Sequence, residues 1–202
     1  MTDRAHGSEA VSPWIRRWSH LAPAGGAVLD LACGRGRHVR WFAGRGHSVV
    51  ALDRSQEALD AMADLRAQSS DTRVQTVQAD IENQPWPLMQ GQAPQTFDAV
   101  IVTNYLWRPL LPTIVRSVAP GGVLLYETFA HGNASVGKPS RPDFLLQPGE
   151  LLRACQELRV VAYEDGFLAD PPRFVQRIAA VREPLPVQPR AGTEPAPTRY
   201  PL

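Results

Sequence analysis

The sequence predicts an α/β fold: a Rossmann-like, doubly wound sheet of seven mostly parallel strands, with helices on both faces and an antiparallel C-terminal strand. Short apolar segments alternate with amphipathic ones along the chain, the order that builds right-handed strand–helix–strand units. The first, second, fourth and fifth apolar segments contain few polar residues, as is typical of strands covered by helices on both sides. The last two are joined by a short turn, so we expect an antiparallel hairpin at one edge.

The first half of the chain supplies three of these strands. Ser12 as N-cap and Pro13 at the first helical position open a helix, which residues 23–26 end. Ser55 caps a long helix whose apolar side chains recur at three-residue spacing. We expect strands at residues 27–31, 48–52 and 74–77 and further helices at residues 37–43 and 56–68.

The second half continues the alternation and adds the hairpin. Residues 82–95 contain three prolines and a glycine and are expected to form a loop or a broken helix. Strands are expected at residues 97–103, 123–128, 159–163 and 174–181, and helices at 110–118 and at about 150–157. We expect a flexible start at residues 1–11, one domain at 12–183, and a proline-rich tail at 184–202 that is disordered or laid over the domain surface.

Length and composition exclude several classes of protein. The 202 residues are 44% hydrophobic and 20% charged, which suits one ordinary domain. The formal net charge of +1 argues against a nucleic-acid partner. No run reaches the roughly 18 apolar residues of a membrane span, and residues 1–10 lack the apolar core of a signal peptide, so we expect a cytoplasmic protein. Cys33 and Cys155 form no CxxC pair, and we predict no metal site.

A glycine turn follows the first predicted strand, at residues 30–36. In doubly wound sheets, ligands bind beyond the carboxyl ends of the strands, where the strand order reverses. Gly34 and Gly36 let the backbone approach a ligand closely. Asp53 ends the second strand, where a carboxylate accepts hydrogen bonds from ribose hydroxyls. The pattern therefore predicts a cofactor that contains a nucleoside.

Two residues of this turn bear on which cofactor it is. A dinucleotide fingerprint requires a small residue where this chain has Val39. The carboxylate of Asp30 would repel a pyrophosphate but would attract an ammonium group. S-adenosylmethionine, with an amino-acid end and an adenosine end, fits better than NAD, and a dehydrogenase is the outside alternative.

Five segments, taken in order, resemble the motifs of class I S-adenosylmethionine-dependent methyltransferases. The resemblance covers roughly residues 14–182 and implies this fold, this cofactor and methyl transfer. The segments are VLDLACGRGRH (28–38), VVALD (49–53), QADI (78–81), FDAV (97–100) and APGGVLL (119–125).

The resemblance implies roles for individual residues. The methionine end of the cofactor would be held by the first turn, the ribose by the end of the second strand, the adenine by the end of the third, and Asn104 would line the methyl-donor pocket. The expected cofactor residues are Asp30, Ala32, Cys33, Gly34, Gly36, Asp53, Arg54, Asp80, Ile81 and Asn104. Alternatives stay open: Asp53 could cap the next helix, Asp80 could be a turn residue, and Cys33 is expected to pack rather than react.

Arginines 35, 37, 40 and 45 cluster around the helix that follows the glycine turn. An anionic or RNA partner would explain them. The alternative is a solvated helix face, and this is the interpretation that we favour.

The residues after the fourth strand bear on the acceptor. Methyl transfer is an in-line displacement, which needs positioning and exclusion of water and needs a base only where the nucleophile holds its proton. The turn at residues 104–107 lacks the two prolines that methyltransferases acting on nucleobases or glutamine amides often carry there. Tyr105 and Trp107 could place ring faces near the sulfonium or could be core aromatics. Tyr105 is a candidate catalytic residue.

The most distinctive segment is residues 127–144, which follow the fifth strand at the ligand end. Long loops at that position are commonly binding loops or lids. His131 is the histidine best placed to act as a base, with a loop histidine of no role as the alternative. The segment resembles the equivalent loop of small methyltransferases of the tellurite-resistance group. The expected acceptor-binding residues are Tyr105, Trp107, Arg108, Phe129, Lys138 and Arg141.

Three functions are consistent with these residues. The first is a methyltransferase, monomeric or homodimeric, for a small acceptor such as a thiol, selenol, other chalcogen or carboxylate-bearing metabolite. The second is an RNA or protein methyltransferase, which salt-sensitive RNA binding would support. The third is a non-catalytic partner subunit that binds the cofactor, which a turnover assay would separate from the first.

Overall fold

The computed structural model describes residues 10–67, 74–184 and 198–202. Within these ranges, strands and helices alternate as predicted. The strands are β1 Ala27–Leu31, β2 Ser48–Asp53, β3 Val74–Gln78, β4 Met89–Gln90, β5 Ala93–Pro94, β6 Phe97–Thr103, β7 Val118–Phe129, β8 Arg159–Ala169 and β9 Pro172–Val181. The α-helices are α1 Pro13–Trp18, α2 Arg37–Ala43, α3 Gln56–Asp60, α4 Ala63–Ala67, α5 Leu111–Arg116 and α6 Glu150–Ala154.

Seven of these strands form one sheet in the order β3-β2-β1-β6-β7-β9-β8. The first five strands in this order are parallel to one another, and β9 is antiparallel to both β7 and β8. This confirms the predicted seven-stranded sheet and its antiparallel final strand. The strand order reverses at β1, which lies between β2 and β6. The carboxyl ends of β1 and β6 therefore flank the crevice in which such sheets bind ligands.

Helices cover both faces of the sheet and create two apolar cores. On one face, Trp14, Trp18 and Phe42 from α1 and α2 pack on the sheet. On the other, Ile114 of α5 and Leu151 of α6 do the same. Because each face has its own core, the inner strands are buried on both sides, and this is why their sequences are continuously apolar.

Helix α1 begins as the sequence predicts. The Oγ atom of Ser12 accepts hydrogen bonds from the backbone N–H groups of Trp14 (3.2 Å) and Ile15 (3.5 Å), and Pro13 occupies the first helical position. The helix ends at Trp18 and continues as a 3₁₀ turn over Ser19–Leu21. The cap fixes where the chain enters the fold, directly above β7.

The single long helix predicted at residues 56–68 is wrong, since the structure has two short helices, α3 and α4, with a break at residues 61 and 62. At the break, the carbonyl of Ala61 accepts a hydrogen bond from Arg40 Nη2 at 2.8 Å. Met62 turns inward, is fully buried, and occupies the space beside Gly36, where any Cβ atom would overlap the Met62 sulfur. At the break, Arg40 of α2 therefore occupies the carbonyl of Ala61, while the N–H of Met62 makes a turn-type hydrogen bond to the carbonyl of Leu59 at 3.1 Å.

Other element boundaries also differ from the prediction. Residues 82–95 contain the small hairpin β4–β5. Strand β7 begins at Val118 rather than 123, because the backbones of Gly121 and Gly122 exchange hydrogen bonds with Arg182 at 2.7 and 3.0 Å. Strands β8 and β9 are longer than expected and leave only residues 170 and 171 between them.

The predicted flexible start and most of the predicted proline-rich tail, residues 1–9 and 185–197, lie outside the described residues. Near the end of the sequence, the ring of Tyr200 packs against the core that contains α1, with the guanidinium of Arg159 5.4 Å from its centroid. No helix in the described ranges is long and apolar enough to span a membrane.

Candidate active site

Two residues with unusual backbone geometry mark the crevice beside β1. Ala32 (φ 52°) and Asn104 (φ 55°) are the non-glycine residues with positive φ in the part of the chain that the structure describes. Ala32 follows β1 and Asn104 follows β6, the two strands that flank the reversal of strand order. Backbone strain of this kind concentrates at functional sites, and both residues are among those predicted to hold the cofactor.

The glycine turn after β1 is shaped for close approach of a ligand. Gly34 has φ 54° and Gly36 has φ 80°, both in the left-handed region that favours glycine. No atom lies within 4 Å of the place where a Gly34 Cβ would stand, so this side of the turn is open. Gly36 instead faces Met62 and N-caps α2. The two glycines thus have different roles, one toward the crevice and one toward the core.

Asp53, at the end of β2, holds two loops together. Its Oδ2 accepts the N–H of Gly34 and its Oδ1 accepts the N–H of Ser55, both at 2.8 Å. This matches the alternative in which Asp53 supports the start of α3. A carboxylate has about four acceptor positions, so these two bonds leave capacity for ribose hydroxyls.

A cavity of about 240 Å³ opens beside Asp53. Leu52 and Ala79 are its buried residues. Five of the predicted cofactor residues line it: Ala32, Asp53, Arg54, Asp80 and Ile81. Its remaining lining residues are Leu52, Ala79, Glu82, Tyr105 and Phe144.

Asp80 follows β3 and also lines this cavity. Its carboxylate accepts hydrogen bonds from Asn83 Nδ2 (2.9 Å) and from the backbone N–H of Glu82 (3.2 Å). The Asn83 bond, followed by these backbone contacts, lowers the pKa of Asp80 against the opposing effect of desolvation. Asp80 is therefore both the turn residue of our alternative and an ionised acceptor at the edge of the cavity.

Asp30 is the most unusual carboxylate in the fold. It is 1% exposed, and neither of its oxygen atoms makes a well-formed hydrogen bond with a described residue, although the backbone N–H of Val39 lies close enough to favour its charged form. Burial raises its pKa to about 7, while the charge of Arg37 acts in the opposite direction. An unpaired buried carboxylate is costly, and a bound ammonium group would supply the missing donors. The residue thus fits the amino-acid end of S-adenosylmethionine.

Cys33 does not behave as a nucleophile. Its side chain is buried in the core that contains α1 and α2. Burial raises the pKa of its thiol well above the ordinary value. The side chain packs, as we expected, and only its backbone belongs to the turn.

Tyr105 and Trp107 lie in different surroundings. The ring of Tyr105 lines the 240 Å³ cavity, and its backbone carbonyl accepts a hydrogen bond from the Tyr126 hydroxyl at 2.9 Å. Burial raises the pKa of the Tyr105 hydroxyl above its usual range, which does not suit a base. Trp107 packs against the core under α5, in line with the alternative that it is a core aromatic.

Arg108 was predicted to bind the acceptor, and the structure gives it another task. Its guanidinium donates to both carboxylate oxygens of Glu150, at 2.7 and 3.0 Å. It also donates to the carbonyls of Asp143 and Leu145, each at 2.8 Å. With four hydrogen bonds committed to the protein, the side chain holds the loop after β7.

That loop does not bring its predicted acceptor residues into the cavity. His131, Lys138 and Arg141 are exposed, and Arg141 pairs with Asp143 at 2.8 Å. Phe129 is half-buried at the end of β7, where its carbonyl accepts the N–H of Leu146. The loop contributes Phe144 to the cavity instead, a residue that the sequence analysis did not select.

A second group that sequence reasoning missed lies on the α1 side of the carboxyl ends. The Ser12 hydroxyl donates to Glu127 Oε1 at 3.0 Å, and Arg177 Nη1 lies 3.3 Å from Glu127 Oε2. The backbone N–H of Ser12 also donates to His38 Nε2 at 3.3 Å. We call Ser12, His38, Glu127 and Arg177 the polar cluster. A glutamate near the end of the apolar segment 123–129 is the signal that could have revealed it.

The arginines around α2 mostly follow the solvated-face interpretation. Arg35 pairs with Glu57 at 3.3 Å, Arg40 pairs with Asp64, and the guanidinium of Arg45 lies over the Trp41 ring. Arg37 is the exception, because its Nη2 reaches Thr103 Oγ1 at 3.4 Å, at the end of β6. It therefore belongs to the crevice rather than to the surface.

The strand order, the glycine turn after β1 and the cavity at Asp53 agree with the Rossmann-like fold that the sequence predicts. In agreement, residues 28–122 match the family described as "Methyltransferase domain". A relative named malonyl-[acyl-carrier protein] O-methyltransferase, from Pectobacterium atrosepticum, is 34% identical over 118 residues. The match includes 56% of this chain and 43% of the relative, so the chain spans less than half the length of that protein.

Solved structures share the architecture at low identity. TehB from Haemophilus influenzae has a TM-score of 0.64 at 19% identity, over 90% of this chain and 64% of that one. An S-adenosylmethionine-dependent methyltransferase from Methanosarcina mazei has a TM-score of 0.63 at 14% identity, over 87% of this chain and 100% of that one. The glycopeptide N-methyltransferase MtfA in complex with S-adenosylmethionine has a TM-score of 0.58 at 20% identity, over 90% of this chain and 99% of that one. These matches confirm the fold and the resemblance to class I methyltransferases of the TehB type.

Proposed function

We propose that the protein is a S-adenosylmethionine-dependent methyltransferase that acts on a small acceptor. One observation carries the proposal: an orphaned buried carboxylate, Asp30, and a cavity at Asp53 lie at the ends of two adjacent parallel strands. The first suits an ammonium group and the second suits a nucleoside. S-adenosylmethionine contains both.

The chain's own residues would bind and orient this cofactor, which when bound supplies an activated methyl group. The carboxylate of Asp30 would hold the ammonium group, and the open side of Gly34 would let the backbone approach it. Asp53 would accept the ribose hydroxyls, with Asp80 and Ile81 at the adenine end. Asn104, exposed at the end of β6, would stand at the acceptor side. Positioning of this kind supplies much of the rate of an in-line displacement.

The surroundings of the titratable groups favour an acceptor that is already anionic. Burial lowers the pKa of His38 to about 3, and the Glu127 carboxylate is bound on both oxygens by Ser12 and Arg177. His131 is exposed on the loop. None of these described groups is placed as an obvious base, and a thiolate, a selenolate or a carboxylate needs none. The relative named as an O-methyltransferase gives additional support to a carboxylate as the acceptor.

Titration calorimetry tests the cofactor. We expect the unmodified protein to bind S-adenosylmethionine and its product S-adenosylhomocysteine, and not NAD. Asp53→Ala should weaken binding of the product by about tenfold or more, since a hydrogen bond to a charged group contributes about 1.5–3 kcal/mol. Glu57→Ala removes an exposed carboxylate outside the cavity and should leave affinity unchanged. Equal affinities for the two variants would remove the ribose role of Asp53.

Turnover assays then separate the remaining functions. Release of S-adenosylhomocysteine would be followed with panels of small thiols, selenols and carboxylic acids. Product formation with a small acceptor supports the proposal. Tight cofactor binding without turnover on any panel would favour a non-catalytic partner subunit, and salt-sensitive RNA binding with RNA methylation would favour the nucleic-acid alternative.

A further inference from the structure

Phe144 stands apart among the residues that line the cavity. The other lining residues come from the end of β2 and from the turns after β1, β2, β3 and β6, whereas Phe144 comes from the loop after β7. Its side chain is 40% exposed, while Leu52 in the same cavity is fully buried. Phe144 is thus a partly exposed aromatic wall of the cavity, and the Arg141 guanidinium lies 5.2 Å from its ring centroid.

Its position is fixed by backbone contacts on both sides. Arg108 donates to the carbonyl of Asp143, immediately before Phe144, and to the carbonyl of Leu145, immediately after it. The same guanidinium is held by both oxygens of Glu150. Although burial acts to raise it, these Arg108 hydrogen bonds hold the pKa of Glu150 below its ordinary value. We call Arg108 and Glu150 the clamp.

The clamp also joins the two aromatic residues of the cavity. Arg108 lies three positions after Tyr105, whose ring lines the cavity and whose carbonyl is fixed by the Tyr126 hydroxyl. One end of the segment from Tyr105 to Arg108 therefore forms part of the wall, and its other end holds Phe144. The two rings are positioned relative to each other through a single short segment of chain.

We infer that Phe144 contacts the base of the bound nucleoside as an aromatic cover, and that Arg108 is a positioning residue that holds it there. The inference rests on the proposed function, because it presumes that the cavity receives the adenosine part of the cofactor. Stacking of a base on an aromatic ring is a large, sequence-tolerant contribution to binding.

The first test measures the affinity for adenosine and for S-adenosylhomocysteine by calorimetry. Phe144→Ala should weaken both by about tenfold, and Phe144→Tyr should stay close to the unmodified protein. Phe167→Ala is a matched control, because Phe167 is an aromatic 51% exposed on β8 and lies outside the cavity. Thermal unfolding of each variant shows whether the fold is retained.

The second test concerns Arg108. Arg108→Ala should weaken adenosine binding in the unmodified background, and it should have almost no further effect in a chain that already carries Phe144→Ala. If the role of Arg108 is purely structural, Arg108→Ala would lower the melting temperature and would change adenosine affinity by the same factor with and without Phe144→Ala. The double variant therefore distinguishes positioning of Phe144 from general stabilisation.

The outcomes separate this inference from the proposed function. If the unmodified protein binds adenosine and S-adenosylhomocysteine but Phe144→Ala binds them equally well, the role of Phe144 is wrong and the proposed function stands. If the unmodified protein binds neither ligand, both are wrong. Loss of affinity in Phe144→Ala, with Phe167→Ala unchanged, supports the inference.

Discussion

At the scale of the residue, burial decides which groups carry charge. Asp30 and His38 are both 1% exposed, and burial shifts each pKa toward the neutral form, to about 7 for the aspartate and about 3 for the histidine. His38 is therefore neutral throughout the physiological range, and Asp30 is neutral over its lower part. A ligand that restores the charge of Asp30 must itself provide a cation.

Asp30 predicts how affinity for S-adenosylhomocysteine depends on pH. Below pH 7 the carboxyl group is protonated and must lose its proton before it can hold an ammonium group. The dissociation constant should therefore rise by up to about tenfold for each pH unit below 7 and level off above it. Calorimetry between pH 5.5 and 8.5 measures this.

Adenosine provides the control for this prediction, since it has no ammonium group. Its affinity should show much less dependence on pH in the same range. The Asp30→Asn variant should bind S-adenosylhomocysteine weakly, and its dissociation constant should not depend on pH in this range. A flat profile for S-adenosylhomocysteine in the unmodified protein would mean that Asp30 does not hold the ammonium group.

At the scale of the element, the sequence predicted features whose causes are local. Strands β1, β2 and β6 are apolar segments bounded by turn residues, and their predicted ends agree with the structure to within one residue. The break between α3 and α4 was not predictable in this way, because it depends on Arg40, about twenty residues earlier.

The same distinction holds for the candidate site. Asp53 was predicted because it ends a strand at the ligand end of the sheet, and Asp80 and Ile81 were predicted because the segment QADI (78–81) resembles a methyltransferase motif. The polar cluster was missed because its central hydrogen bond joins Ser12 to Glu127, 115 residues away. Phe144 was missed because its approach to the cavity depends on Arg108, and nothing in the spacing of residues 127–144 indicates that contact.

The loop after β7 is an element that depends on one buried amide. Asn133 is 1% exposed; its Nδ2 donates to the carbonyl of Pro139 at 3.0 Å, and its Oδ1 accepts the N–H of Phe174 at 3.1 Å. Asn133→Ala leaves both backbone groups without a partner and should lower the free energy of unfolding by about 1–3 kcal/mol. Urea denaturation measures the change.

Two further variants check this interpretation of the loop. Asn133→Asp keeps the acceptor for Phe174 but sets a buried carboxylate oxygen against the Pro139 carbonyl, so it should also be destabilising at neutral pH. Ser135→Ala changes an exposed residue of the same 3₁₀ turn and should be close to neutral. If Asn133→Ala is also neutral, the amide does not hold the loop against β9.

At the scale of the whole molecule, the polar cluster connects parts of the chain that are distant in sequence. Ser12 at the start of α1 contacts His38 of α2 and Glu127 of β7, and Arg177 of β9 joins Glu127 to Glu164 of β8. These contacts secure α1 to the carboxyl ends of the strands, beside the crevice. Protonation of a member of the cluster should therefore change the stability of the whole fold.

His38 determines the sign of that change. Its pKa is near 3 in the folded protein, against an ordinary value of 6.5, so the unfolded chain binds a proton first as the pH falls. The stability that neutral His38 contributes is present above pH 6.5 and is lost as the pH falls from 6.5 toward 3. Asp30 acts in the opposite sense, since its raised pKa removes stability as the pH rises from 3.8 to about 7. The two effects partly cancel in the unmodified protein.

Replacement of either His38 or Asp30 should show the effect of the other residue on the pH dependence of stability. Between pH 6.5 and 5 the two opposing effects are of similar size, about 1–2 kcal/mol each, so the stability of the unmodified protein should change little. His38→Gln retains an oxygen that can accept the Ser12 N–H but cannot titrate, so its stability should rise by about 1–2 kcal/mol as the pH falls from 6.5 to 5. Asp30→Asn should lose a similar amount over the same range. Urea unfolding of the unliganded proteins at pH 5, 6, 7 and 8 measures both slopes, with His131→Gln, an exposed loop position, as the control. Parallel profiles for His38→Gln and His131→Gln would show that His38 is accessible to protons in the folded state, and the polar cluster would then not be closed to water.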